Sequence, residues 1–311
     1  MTRRDFLAVS SVAASAAPAI AAATARKSSS ETLVATLFKS LTPEQKSTVA
    51  FAFDDPLRTK VDANWHIVPQ KIGEFFNADQ QSMIREIFTG LYKPEFAPTV
   101  IEQLKHDGGG IENYNVALFG EPGGKFEFVL SGRHCTMRCD GDSVEGAAFG
   151  GPIFYGHQGG GTDLEEPSHP NNAYWYQAKR ANEVFAALDG KQRELALVKR
   201  APRAESQNKT VQIKPKEERA GIAVAELSKD QRVLVEKVIA DLLLPYRQRD
   251  VDEAVKLLKT RGGAESLHMS FYKNLDIGND GIWDVWQLEG PNMVWYFRGY
   301  PHVHTWVNIQ A

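Results

Sequence analysis

The sequence predicts an α+β fold in which antiparallel β-hairpins form a sheet that packs with several α-helices. Short runs with a period of two or dense apolar character are separated by turn residues, which is typical of hairpins. Other segments carry helix-start patterns and helical spacing. The strands and helices come in blocks without regular alternation, which favours α+β over a doubly wound parallel sheet.

Helix starts are the clearest local signal. Four segments place glutamine three positions after a capping residue, which allows the side chain and backbone of the two residues to satisfy each other. The four capping residues are Thr42, Asn77, Asp189 and Ser228. The last of these helices is expected to end before Pro245, and further helices are expected over residues 172–188 and from Asp250 to Gly262.

Two groups of strands are predicted. Residues 114–119 and 126–130 are rich in apolar side chains and flank a glycine-rich connection, which indicates a hairpin followed by a third strand over 133–138. Near the C-terminus, residues 282–288, 293–298 and 302–309 are separated by turn-forming Gly and Pro. These three segments predict an antiparallel meander.

The N-terminus indicates export. Arg3 and Arg4 precede an alanine-rich stretch with small-residue cleavage sites, which predicts a twin-arginine signal peptide over residues 1–25. The translocase is therefore an expected partner, and a bacterial periplasmic or secreted location follows. No later segment approaches the roughly 20 apolar residues of a membrane helix. The mature chain is expected to be one α+β domain over residues 32–311 without a membrane span, with an exposed polar loop at about 199–221.

Charge and cysteine content exclude several classes of protein. A net charge of −3 provides no basic face for nucleic acid or anionic lipid. The 2 cysteines, Cys135 and Cys139, are too few for a disulfide scaffold. In a regular strand they would lie about 13 Å apart, beyond disulfide reach. Two buried thiols, a thiolate ligand and a strained redox pair all stay open.

Histidines supply the candidate chemistry. His302 and His304 lie two apart in a predicted strand, so both imidazoles should project from one face and could share a metal ion. By strand parity His134 should face the apolar side, where a polar ring needs a partner. His157 lies in a glycine-rich segment, residues 149–162, interpreted as a site-lining loop. His134, His302 and His304 are candidate ligands of copper or zinc, with His157 as a fourth ligand or proton carrier.

Two functions fit these residues. The first is a metal-binding protein, which could be a redox or hydrolytic enzyme acting on a small molecule that the sequence does not specify. The second is a non-catalytic module that binds a ligand or a protein, with a groove lined by aromatic side chains of the last hairpins: Trp283, Trp286, Trp295, Tyr296 and Trp306. No nucleophile elbow, phosphate loop or zinc-protease helix motif is present.

Several motifs also resemble a known bacterial family, domains of unknown function number 3500. The shared features include Leu41-Thr42-Pro43-Glu44-Gln45, Ser131-Gly132-Arg133-His134, Gly151-Pro152, Leu188-Asp189-Gly190-Lys191-Gln192 and Gly290-Pro291 leading to His302-Val303-His304. Arg133 stands where the family commonly has a histidine. The resemblance spans most of the mature chain and implies export and the pairing of these motifs, but no substrate.

Overall fold

The computed structural model describes residues 29–158, 173–199, 205, 207–273 and 282–311. The predicted signal peptide and parts of the 149–162 and 199–221 segments lie outside these residues. Within the described residues no helix combines the length and apolarity needed to cross a bilayer.

One large sheet organises the molecule. Its strands are β1 (Ala50–Phe51), β2 (Asn115–Gly120), β3 (Phe126–Gly132), β4 (Cys135–Cys139), β5 (Ile153–His157), β6 (Leu197–Val198), β7 (Ile222–Ala223), β8 (His268–Tyr272), β9 (Val285–Glu289), β10 (Met293–Arg298) and β11 (Val303–Ile309). The order is β1-β2-β3-β4-β5-β11-β10-β9-β8-β6, with β7 beside β8. The β1–β2 and β6–β8 pairs are parallel, and the other pairs are antiparallel.

Helices precede, separate and follow the strands. They are α1 (Ser29–Ser40), α2 (Pro43–Val49), α3 (Ile72–Phe75), α4 (Ala78–Thr89), α5 (Ala97–Gly108), α6 (Trp175–Ala186), α7 (Gly190–Ala196), α8 (Gln207–Thr210), α9 (Lys229–Leu243) and α10 (Gln248–Thr260). All four predicted helix starts are confirmed as complete capping boxes, in which cap and glutamine bond reciprocally. The α+β prediction is confirmed.

The two faces of the sheet are covered differently. A large hydrophobic core joins the helices to one face. On the other face Phe154, Trp306 and Tyr296 lie opposite one another on β5, β11 and β10. Val61 and Val211 pack against this second cluster from two irregular segments. These segments bring side chains from distant parts of the sequence over the strands.

The hairpin and the C-terminal meander are confirmed, but three expectations change. The third strand begins at Cys135 instead of residue 133. The 199–221 segment is not simply exposed, because Thr210 and Val211 are buried where the segment crosses the sheet. The predicted aromatic groove is also wrong, because four of its five side chains are buried in the core and cannot line a surface: Trp286, Trp295, Tyr296 and Trp306.

The two cysteines lie four residues apart on β4, and both are free and buried. Burial raises the pKa of both thiols, with the nearby carboxylates Asp107 and Glu31 adding to the effect at Cys135 and Cys139 respectively. The interpretation as two buried thiols is the one that the structure supports.

Candidate metal centre

Three histidines from two regions of the sequence meet at one end of the sheet. His302 immediately precedes β11, and His304 is the second residue of that strand. His304 lies between Arg298 on β10 and Gly156 on β5. Its ring shares a strand face with Trp306, and both rings contact Phe154. His304 and Trp306 therefore share a strand face, whereas His302, which was predicted to share it by the strand period, lies just before β11.

His134 reaches the same point from a tight turn. Gly132 pairs with Cys135, so Arg133 and His134 are the two central residues of the β3–β4 connection. The strand-parity argument for His134 was therefore wrong. Its φ of 56° lies in the left-handed region, which residues with a Cβ adopt infrequently. The backbone is held there because the His134 N–H donates to the Ala63 carbonyl at 2.8 Å.

The ε nitrogens of the three rings face one another. His134 Nε2 lies 3.1 Å from His302 Nε2, and His302 Nε2 lies 2.9 Å from His304 Nε2. One ligand atom from each ring falls within 4.8 Å of the other two. Tetrahedral coordination with bonds near 2 Å separates ligand nitrogens by about 3.3 Å. The three rings thus have the spacing of a common coordination sphere.

Asp107, near the end of α5, lies behind His134. Its Oδ2 lies 3.1 Å from His134 Nδ1 and 3.3 Å from His157 Nδ1, while Oδ1 accepts from the Gln158 N–H at 3.0 Å. Burial alone would raise the pKa of Asp107, but hydrogen bonds from the two histidines outweigh burial and lower it to about 2. Asp107 is therefore a buried carboxylate that orients His134 through the nitrogen opposite the cluster.

Glu205 does the same for His304. Its Oε2 lies 2.7 Å from His304 Nδ1, and its Oε1 lies 2.9 Å from Arg298 Nε. Burial raises the pKa of Glu205, and the positive charge of Arg298 opposes this shift. Burial, followed by the positive charge of Arg298, holds the pKa of His304 well below its ordinary value. Both effects favour the neutral imidazole, the form that binds metals.

His157 occupies a different place from the one expected. It is the last residue of β5 and is buried, so it belongs to a strand and not to a loop. The converging group found among the described residues consists of His134, His302 and His304, and His157 is connected to it through Asp107. Residues 159–162 of the predicted loop lie outside the described residues.

Two carboxylates of the site were not identified from the sequence. Asp107 carries one usable signal, because an acidic residue in the last turn of a helix is disfavoured by the helix dipole and needs a compensating partner. Glu205 lies in a polar segment rich in similar residues, so nothing in the sequence distinguishes it from its neighbours.

Comparison with known proteins places this chain in a family. Searches of curated proteins and of solved structures gave no match. A family model described as a protein of unknown function, DUF3500, matches residues 24–307, a region that includes the three histidines and both carboxylates. The chain therefore belongs to the DUF3500 family.

Proposed function

We propose that this chain is an exported bacterial protein that binds one transition-metal ion through His134, His302 and His304. The observation that carries the proposal is the convergence of three Nε2 atoms, with neighbouring distances of 3.1 and 2.9 Å. Three protein ligands leave a coordination position for water or a substrate, as in catalytic sites. The arginine pair and alanine-rich stretch of residues 1–25 support export.

The two carboxylates behind the rings favour a cation. Asp107 and Glu205 are carboxylates on the δ nitrogens of two of the three histidines. Metal-binding histidines commonly donate their second N–H to a carboxylate, which fixes the ring and increases its basicity. Because carboxylates face the δ nitrogens of His134 and His304, the ε nitrogens of these two rings are left as lone-pair acceptors. A single Nε2–H on His302 can donate to only one of them at a time, whereas a cation bound to all three nitrogens satisfies them together.

The donor set fits zinc or copper, because neutral imidazoles suit both ions. Zinc at an open position would supply an activated water for hydrolysis, and copper would supply redox chemistry. The chain's own contribution is the same in each case. The turn at His134 and the start of β11 fix the rings, and the two carboxylates hold their δ nitrogens.

The proposal is tested by isolating the untagged protein, expressed with its own leader, from the periplasmic fraction. We expect a mature N-terminus near residue 25 and about one zinc or copper ion per chain. The double variant His302→Ala, His304→Ala should lose nearly all of this metal. His66→Ala is the matched control, because His66 is exposed, contacts Asn115 and is not one of the three converging histidines.

Two results contradict the proposal. Equal metal content in the wild type and the double variant would show that His302 and His304 do not bind the metal. An intact leader with all of the protein in the cytoplasm would show that the chain is not exported.

A further inference from the structure

We propose that Arg133 binds an anionic group of the substrate, a carboxylate or a phosphate, beside the three-histidine centre. The proposal rests on the proposed function for the identity of that centre. Arg133 precedes His134 in the two-residue turn between β3 and β4. It therefore lies at the end of the sheet where the rings converge.

The guanidinium of Arg133 has an unused binding capacity. Its Nη2 donates to the amide oxygen of Gln158, and its buried Nε has no hydrogen-bond partner among the residues that the structure describes. Across the described part of the chain, no carboxylate lies within ion-pair distance of Arg133. Other partly or fully buried arginines do have such partners: Arg58 and Arg138 with Glu127, Arg247 with Asp250, and Arg298 with Glu205. Within the described residues, Arg133 is thus a charged group without a carboxylate counter-ion, next to a candidate reaction centre.

The same hydrogen-bond network holds Arg133 and the histidine centre. The carbonyl of Arg133 accepts from the Tyr114 hydroxyl at 2.8 Å. The side chain is held by Gln158, whose N–H donates to Asp107, and Asp107 contacts His134. Arg133 also contributes to the lowered pKa of His304, which agrees with its position close to the rings. The guanidinium is therefore fixed relative to the centre before any ligand arrives.

The chemistry of the free donors selects the ligand class. A guanidinium offers a planar fork of N–H groups that matches the two oxygens of a carboxylate or phosphate. A buried donor without a partner costs about 1–3 kcal/mol, and an oxyanion that accepts from Nε would remove this cost. A neutral substrate would leave both the charge and the donor unpaired. Molecules that carry an acidic group next to the reacting atom are the class that the site fits.

Binding of acetate and of inorganic phosphate, measured by calorimetry, tests the proposal. Each probe is titrated into the metal-free and the zinc-loaded protein, in the wild type, Arg133→Gln and the control Arg85→Gln. Arg85 is an exposed arginine paired with Glu112. We expect Arg133→Gln to weaken the preferred probe about tenfold or more, since hydrogen bonds to charged groups have that magnitude. Arg85→Gln should bind like the wild type.

The two probes separate the sources of the anion, because tighter acetate binding indicates carboxylate substrates and tighter phosphate binding indicates phosphorylated ones. Circular dichroism of Arg133→Gln confirms that the variant is folded. The proposal is overturned if neither probe binds the wild type, or if Arg133→Gln binds as tightly as the wild type. If the wild type takes up no zinc but its anion binding still depends on Arg133, the metal proposal fails and the anion site stands.

Discussion

Two buried polar clusters lie on the same sheet and differ in how their charges are satisfied. In the first, Arg138 donates to Glu127 at 2.7 Å and to the carbonyls of Pro152 and Lys60 at 2.6 and 2.7 Å. The second oxygen of Glu127 accepts from Arg58 at 2.9 Å. Each of these arginine donors faces a carboxylate or a carbonyl oxygen. The cluster therefore stabilises the fold without needing a ligand.

The three-histidine cluster follows the opposite pattern. Its closest atoms are chemically identical ring nitrogens, and its carboxylates lie on the outer side of the rings, at Asp107 and Glu205. The carboxylates therefore lie around the three ring nitrogens instead of being paired across them. The polar groups of the Arg138–Glu127 cluster thus satisfy one another, whereas those of the histidine cluster would be satisfied by a bound cation. Substitutions in each cluster distinguish the two cases.

The largest expected effect is on the free energy of unfolding, when the Arg138–Glu127 cluster is broken. Replacement of Arg138 by Met leaves Glu127 with one partner in a fully buried position, and breaking such a buried pair costs about 3–5 kcal/mol. Chemical denaturation should show this loss in the free energy of unfolding. The control Arg232→Met breaks the exposed pair with Glu265 and should cost about 1 kcal/mol or less. A similar cost for both variants would contradict the assignment of Arg138 to a structural role.

The second prediction concerns the outer carboxylate of the histidine cluster. Asp107→Asn keeps the size of the side chain but removes the charge that orients His134, so we expect metal affinity to fall about 10–100-fold. Competition with a metal chelator measures this change. Asp241→Asn is the control, because Asp241 pairs with Arg180 in another part of the molecule. Unchanged affinity in Asp107→Asn would show that this carboxylate only supports the fold.

The sequence identified the elements of the fold well because their signals are local. The capping boxes and the turns of the C-terminal meander depend on residues within a few positions of one another, and the structure has them as expected. The His302-Val303-His304 pattern contains part of its own geometry, since the strand period sets the direction of His304, whereas His302 lies just before the strand.

The rest of the site depends on contacts that no local pattern carries. A two-residue turn made of Arg133 and His134 lacks the Gly or Asn that usually marks such a turn, so both residues were expected in the third strand. Asp107 and Glu205 come from a helix end and from an irregular segment, and they reach the rings only through tertiary packing. Residue type indicated the candidate ligands, whereas only the fold could identify the carboxylates that contact them.

The smallest effect concerns Asp140, a buried carboxyl that belongs to neither pattern. It accepts a hydrogen bond from the Val144 N–H at 2.8 Å but has no ion pair with any described residue. Burial, with some contribution from the negative charge of Glu127, raises its pKa from 3.8 to about 6. Between about pH 4 and pH 6 the folded state therefore binds more protons than the unfolded state, so the free energy of unfolding falls as the pH rises.

Asp140→Asn retains an acceptor for Val144 but cannot ionise. We expect the variant to be about 1–3 kcal/mol more stable than the wild type at pH 7.5, because a shift of two pKa units corresponds to about 3 kcal/mol at most. At pH 4.5 the difference should be much smaller, since Asp140 is then protonated in the folded wild type. Denaturation of both proteins at the two pH values measures this, with Asp252→Asn, at an exposed carboxylate that contacts Gln248, as the control. A stability difference that is the same at both pH values would show that Asp140 acts through packing and not through its unpaired charge.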